Sequence, residues 1–238
     1  MKSIILICAL IAGLSNASAE DFYSVNDALL NANQAETVRK NALAELNSHG
    51  DSIEANYFMA VITLRETSKA APSDIYADNR YVEKFEALYR ADAKRKQLMY
   101  GGQIMVSDIR FLKLFYYLGL KYYSRQNFSK AVEWLNLAKV GYEDNPEFNF
   151  KIGTGYYAIK NYGKAKEAFE SVLKVTPNHR DTLYNMACLY AVLNNPGESV
   201  KWLKKVVNLE PKYKEMASKD SDFDSIRNVS QFQQLVSR

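Results

Sequence analysis

The sequence predicts an all-α chain, an α-solenoid of stacked helix-turn-helix repeats. Five matches in one frame carry that prediction. Gly119, Gly153 and Ala187 fall 34 residues apart, and so do Tyr122, Tyr156 and Tyr190. Ala131, Ala165 and Ser199 keep the same interval, as do Leu135, Phe169 and Leu203. Pro177 and Pro211 close the second and third copies in the same frame. A fixed period with small residues where two helices touch marks a stacked helical array. Proteins of this build usually hold other molecules rather than transform them.

The first nineteen residues read as a signal peptide outside the fold. Lys2 supplies a positive start, Ile4 to Ala12 an apolar core too short to span a bilayer, and Ala17-Ser18-Ala19 a signal-peptidase site. Cleavage before Glu20 predicts an exported protein, periplasmic in a bacterium and otherwise secreted, with no membrane span left. It also removes Cys8 and leaves Cys188 alone, so no disulfide is expected within the mature chain. With 47% hydrophobic and 24% charged residues the composition is that of a globular protein, and a net charge of +4 is too small to suggest nucleic acid.

Residues 20–107 read as an irregular helical region. Val25, Leu29 and Leu30 form one stripe, and Val38, Ala42, Leu43 and Leu46 another, predicting two short helices over 22–48. Asp51 or Ser52 caps a helix over about 53–68 that carries Ile53, Tyr57, Ala60, Val61 and Leu64. Ala70-Ala71-Pro72-Ser73 interrupts it, and one long charged helix is expected over about 78–100, ended by Gly101-Gly102. The region fits one degenerate repeat with a lengthened turn, although its interval to the next helix is irregular.

From Ser107 the pattern is regular. Helices are expected over about 108–125, 128–142, 146–159, 162–175, 180–193 and 196–208. Pro196 starts one of them, where its missing N–H costs nothing; Pro177 and Pro211 sit just past helix ends. A last helix carries Tyr213 and Met216, and residues 214–238 as a whole are expected to cap the open end of the stack.

The three copies resemble tetratricopeptide repeats. The middle one supplies Ile152-Gly153, Tyr156, Tyr162, Ala165, Phe169 and Pro177. The first supplies Leu118-Gly119, Tyr122, Phe128, Ala131, Leu135 and Ala138, with Glu143 where the family has proline. The third supplies Met186-Ala187, Tyr190, Leu203 and Pro211, with Ser199 in place of alanine and Pro196 in place of an aromatic. The resemblance covers residues 112–213, and the three-copy array is bounded at 108–213. It implies close helix packing at Gly119, Ala131, Gly153, Ala165, Ala187 and Ser199, with Gly153 facing Ala165 and its neighbours.

The resemblance also implies that the first helix of each copy lines a concave groove. Its positions here hold Tyr116, Leu120 and Tyr123, then Phe150, Thr154 and Tyr157, then Tyr184 and Cys188. That aromatic ladder suits an extended peptide or helix from a protein partner. A competing reading fills the groove with the chain's own N-terminal helices. Asp181 argues against a clamp for acidic chaperone tails.

Catalytic and metal motifs are missing from the sequence. His49 and His179 sit in expected turns without partners at metal-ligand spacing, and no phosphate loop or nucleophile elbow occurs. Asp220-Ser221-Asp222 and the run Lys94-Arg95-Lys96 read as solvated charge. Asn127-Phe128-Ser129 and Asn228-Val229-Ser230 match the glycosylation sequon, which matters only in a eukaryotic secretory pathway. The expected function is therefore an exported, non-enzymatic scaffold or assembly factor without cofactor. A self-associating structural protein is the alternative, in which the stack extends by end-to-end contact.

Overall fold

The computed structural model describes residues 32–70, 79–100 and 106–237. The expected signal peptide and the stripe around Val25 lie outside them. Every regular element among the described residues is helical, and the architecture is an all-α array of helix pairs. The chain divides into two compact units. One holds the described residues up to Lys121 together with Glu133–Gly141; the other holds Tyr122–Val132 and Tyr142 onward. The first sequence copy is thus shared between them.

In the first unit, α1 (Ala32–Ser48) packs on α2 (Ile53–Ala70), and α2 on α3 (Arg80–Ala91). Ala42, Ala55 and Met59 make the buried seam between α1 and α2. Ser52 caps α2, its Oγ accepting the N–H of Ala55 at 3.2 Å. The long helix expected over 78–100 is instead two, α3 and α4 (Ala93–Tyr100). Asp92 divides them because its backbone is extended (φ −68°, ψ 115°) and its side chain accepts the N–H of Arg95 at 2.9 Å. An aspartate that satisfies a free N–H of the next helix begins a helix more readily than it continues one.

A 3₁₀ turn, Val106–Phe111, leads into α5 (Leu112–Ser124), so the helix expected from 108 starts four residues later. Tyr57, Phe85, Tyr89, Phe111, Phe115 and Trp134 form one continuous aromatic core, with centroids 4.8 Å apart for Tyr57–Phe111 and 5.7 Å for Phe115–Trp134. Beside it lies a fully buried carboxylate. Asp108 receives Arg95 Nε at 2.8 Å and Nη2 at 3.1 Å, a two-pronged charge-assisted pair. That pair holds the Arg95 guanidinium above its ordinary pKa, against the cost of burial. Burial, then the Asp108 charge, pushes the neighbouring Tyr89 phenol upward too. Arg95 is therefore a structural ion-pair member, not part of a solvated run; Lys94 and Lys96 beside it are exposed.

The regular part continues from α6 (Phe128–Ala138) and a 3₁₀ turn at Lys139–Gly141 into the second unit's helix pairs. These are α7 (Pro146–Ala158) with α8 (Tyr162–Val175), and α9 (Arg180–Val192) with α10 (Pro196–Leu209). A β-carbon on Gly153 would lie 2.7 Å from the Phe169 ring and 3.3 Å from Ala168 Cβ. The glycine therefore faces Phe169 and Ala168, one turn beyond the expected Ala165. In the first unit, Gly119 meets Leu135 in the same way, at 2.6 Å. No side chain fits at either crossing without displacing its neighbour.

Ser199 stands where the earlier copies have alanine. It is fully buried, and its hydroxyl donates to the Ala187 carbonyl at 2.8 Å, so the extra polar atom is satisfied across the crossing. The turns repeat as closely as the crossings. Gln126, Lys160 and Asn194 have φ of 58°, 61° and 53°. Each is followed by an asparagine whose Oδ1 accepts an N–H in the next helix: Asn127 from Lys130, Asn161 from Lys164, Asn195 from Glu198.

The chain closes with α11 (Lys212–Lys219), a 3₁₀ turn Ser221–Ile226 and α12 (Ser230–Val236). Phe223, Ile226 and Phe232 are buried in one core with Leu183, Tyr184, Ala187, Leu203 and Val206. Each such side chain contributes about 1.5–3 kcal/mol. These side chains cover the outer side of the α9–α10 pair.

Candidate functional site

The residues expected to line a groove fall into two groups. Tyr116 and Leu120 lie on α5 in the first unit and are half-buried. Tyr123, Phe150, Thr154, Tyr157, Tyr184 and Cys188 belong to the second unit, where the structure separates an open set from a covered one.

The covered set is Tyr157, Tyr184 and Cys188. Tyr184 and Cys188 are buried, and Tyr157 is half-buried, beneath the chain's own C-terminal 3₁₀ turn. The Tyr157 hydroxyl donates to Asp222 Oδ2 at 2.7 Å, and the Tyr184 hydroxyl to Asp220 Oδ2 at 2.8 Å. Phe223 meets the Tyr184 ring edge-on at 5.8 Å, and Ser225 Oγ donates to the Ala191 carbonyl at 2.6 Å. These positions are therefore not an open groove. The segment that covers them is C-terminal; the competing reading at sequence level named the N-terminal helices. Asp220 and Asp222 likewise leave the class of solvated charge, being the acceptors that fasten the turn.

Cys188 Sγ and one carboxylate oxygen each from Asp220 and Asp222 lie within 4.8 Å of one another. Both carboxylates already accept a tyrosine proton. Burial, then the two carboxylates, pushes the Cys188 thiol well up, and burial does the same to the Tyr157 and Tyr184 phenols. Protonated thiol and phenols facing carboxylate acceptors form a buried hydrogen-bond cluster. Its chemical role is cohesion.

The set left open among the described residues is Tyr123, Phe150, Lys151 and Thr154, all half-buried. The Tyr123 hydroxyl lies 2.8 Å from Thr154 Oγ1, and Lys151 Nζ sits over the Tyr123 ring at 5.3 Å. The Phe150 ring packs against His179 at 5.1 Å. His179 caps α9, its Nδ1 taking the Thr182 N–H at 3.3 Å, which orients the imidazole beside Phe150. The result is a surface of two rings, the Phe150 phenyl and the His179 imidazole, flanked by a phenol, a hydroxyl and an ammonium. Lys151 was not singled out by the sequence pattern, because a lysine on an exposed helix face is ordinarily solvated.

Residues 146–179 and 181–213 each match the family model of the tetratricopeptide repeat. The chain carries tetratricopeptide repeats. Both matched copies lie in the second unit; the first sequence copy, 112–142, has the helix pair and the glycine crossing but falls outside the matched residues. Tetratricopeptide repeats are in general protein-interaction modules rather than enzymes, which assigns this segment a protein partner. Among solved structures, the chain is similar to the C-terminal part of a TPR repeat-containing protein from Cytophaga hutchinsonii. Identity is 16%, the match covers 88% of this chain and 90% of the other, and the TM-score is 0.43. No curated protein shows significant similarity to the sequence. Among the described residues no helix is long and apolar enough to cross a membrane.

Proposed function

We propose that the protein is an exported, non-enzymatic interaction module that holds a segment of a partner protein on the first-helix face of its repeats. Its role is that of a scaffold or assembly factor in the cell envelope or the secretory route. One observation carries this reading: Tyr123, Phe150, Lys151 and Thr154 form a half-exposed aromatic and polar face, whereas the equivalent residues one repeat later are occupied. Aromatic rings give large contact area at small entropic cost, and the polar groups beside them fix orientation. The amino-terminal pattern Lys2, Ile4–Ala12, Ala17-Ser18-Ala19 supports export.

A photoreactive residue placed at Thr154 in the producing cell tests the reading. It is expected to crosslink a second protein, while the same residue at exposed Glu167 on α8 gives none. Crosslinks from Thr154 that are all internal would overturn the binding face. The intact mass of the native protein is expected to begin at Glu20; a mass that includes Met1 to Ala19 would remove the export reading.

A further inference from the structure

The covered set and the open set are the same site seen twice, one repeat apart. Tyr157, Tyr184 and Cys188 correspond at the 34-residue interval to Tyr123, Phe150 and Thr154, and Asn185 corresponds to Lys151. The later copy is occupied by the chain's own Asp220-Ser221-Asp222-Phe223, so the molecule displays a ligand for this face. We propose that the open copy binds an acidic segment of a partner protein with an adjoining aromatic side chain, docked as Asp220–Phe223 docks one repeat later. This rests on the partner-binding reading above and gives that partner its chemistry; Asp181, the acid that spoke against acidic tails at sequence level, begins the later copy and is engaged there by the Tyr213 hydroxyl at 2.6 Å.

The differences between the two copies sharpen the ligand. In the occupied copy two phenols each donate to a carboxylate, Tyr157 to Asp222 at 2.7 Å and Tyr184 to Asp220 at 2.8 Å. In the open copy Tyr123 keeps the first phenol, but Phe150 has no hydroxyl. Lys151 compensates where Asn185 stands, its ammonium 5.3 Å from the centre of the Tyr123 ring. A carboxylate at Tyr123 would thus meet a hydroxyl donor and a cation together, adding an ion pair to the phenol–carboxylate hydrogen bond that it copies. In the Tyr123–Thr154 pair either hydroxyl can donate, and the Thr154 proton has other acceptors in the Phe150 carbonyl at 3.0 Å and the Lys151 carbonyl at 2.9 Å, so a ligand carboxylate can take the Tyr123 proton without stranding Thr154. An aromatic side chain following the carboxylate finds the Phe150–His179 rings, as Phe223 finds Tyr184.

The probe is a fluorescein-labelled peptide with the sequence of residues 219–227, titrated against the mature full chain by anisotropy. Saturable binding is expected. Lys151→Glu should weaken it by about tenfold or more, and Tyr123→Phe by several-fold. A peptide with asparagine at the positions of Asp220 and Asp222 should weaken it about tenfold. Thermal melts of each variant establish that folding is intact, and Tyr157→Phe should leave the affinity within about twofold. Absence of saturable binding, or binding indifferent to Lys151→Glu, overturns the proposal. So does affinity that falls with Tyr157→Phe instead of Tyr123→Phe, which would mean exchange with the C-terminal segment. Intermolecular crosslinks from Thr154 that persist in excess peptide would leave the partner-binding face standing and sink the acidic chemistry alone.

Discussion

The two units reach the same class of structure by different means. The first is held by six large rings and a buried Arg95–Asp108 pair, drawn from five helices and a 3₁₀ turn without regular spacing. The second is held by contacts that recur: glycine or alanine at the crossing, asparagine at the turn, and a bulky residue at Phe169 and Leu203. Irregular packing concentrates stability in a few unlike interactions, whereas repeats distribute it over many similar ones. A single substitution should therefore do most harm in the first unit and act on one repeat and its neighbours in the second.

The largest expected effect is in the first unit. Asp108→Ala leaves the Arg95 guanidinium, whose side chain is 13% exposed, without its two-pronged partner; among the described residues Asp92 remains as its ion-pair partner, at 3.2 Å. Breaking a buried pair from one side costs roughly 3–5 kcal/mol. Hydrogen exchange followed by mass spectrometry should show lost protection in α3, α4 and the 3₁₀ turn before Leu112. If protection falls by less than in the glycine variant below, the contrast between concentrated and distributed stability fails.

Gly153→Leu is the counterpart in the second unit. Its side chain would enter space held by the Phe169 ring at 2.7 Å, and overpacking costs about 1–3 kcal/mol. The control is Gly163→Leu, because a β-carbon at Gly163 meets nothing within 4 Å. Exchange protection should drop across α7 to α10 for the first variant and stay unchanged for the second. Equal melting temperatures would refute the repeat register.

How much of this was legible in the sequence follows the same division. The crossings were readable because Gly119, Gly153 and Ala187 recur with little variation; Gly153 was displaced only by one turn, toward Phe169. The break at Asp92 was not, since the apolar stripe of Tyr81, Phe85, Leu88 and Tyr89 runs up to it and one local side-chain bond decides the outcome. The rings of the candidate face were visible as an aromatic ladder. Its closure at Tyr184 and Cys188 was hidden because Asp220 and Asp222 are far along the chain and read as ordinary solvated acids. Most instructive are Asn127, Asn161 and Asn195, which keep the 34-residue interval. The residues before them do not keep one type, so the recurring turn left only half a trace.

That turn supplies the smallest prediction. Gln126, Lys160 and Asn194 all adopt a left-handed backbone, with φ between 53° and 61°. The conformation costs a side chain such as lysine about 1–2 kcal/mol and glycine almost nothing. Glycine also loosens the unfolded chain, which returns part of the gain. Lys160→Gly should therefore stabilise the second unit by no more than about 1 kcal/mol, a rise of a few degrees in melting temperature. Lys160→Ala separates backbone relief from loss of the lysine side chain, because alanine retains the β-carbon and should gain nothing. Asn194→Gly should gain less than Lys160→Gly, since asparagine tolerates the left-handed region. If Lys160→Gly melts lower than the parent, the turn is held by the side chain at 160 and not by the backbone pattern that all three turns share.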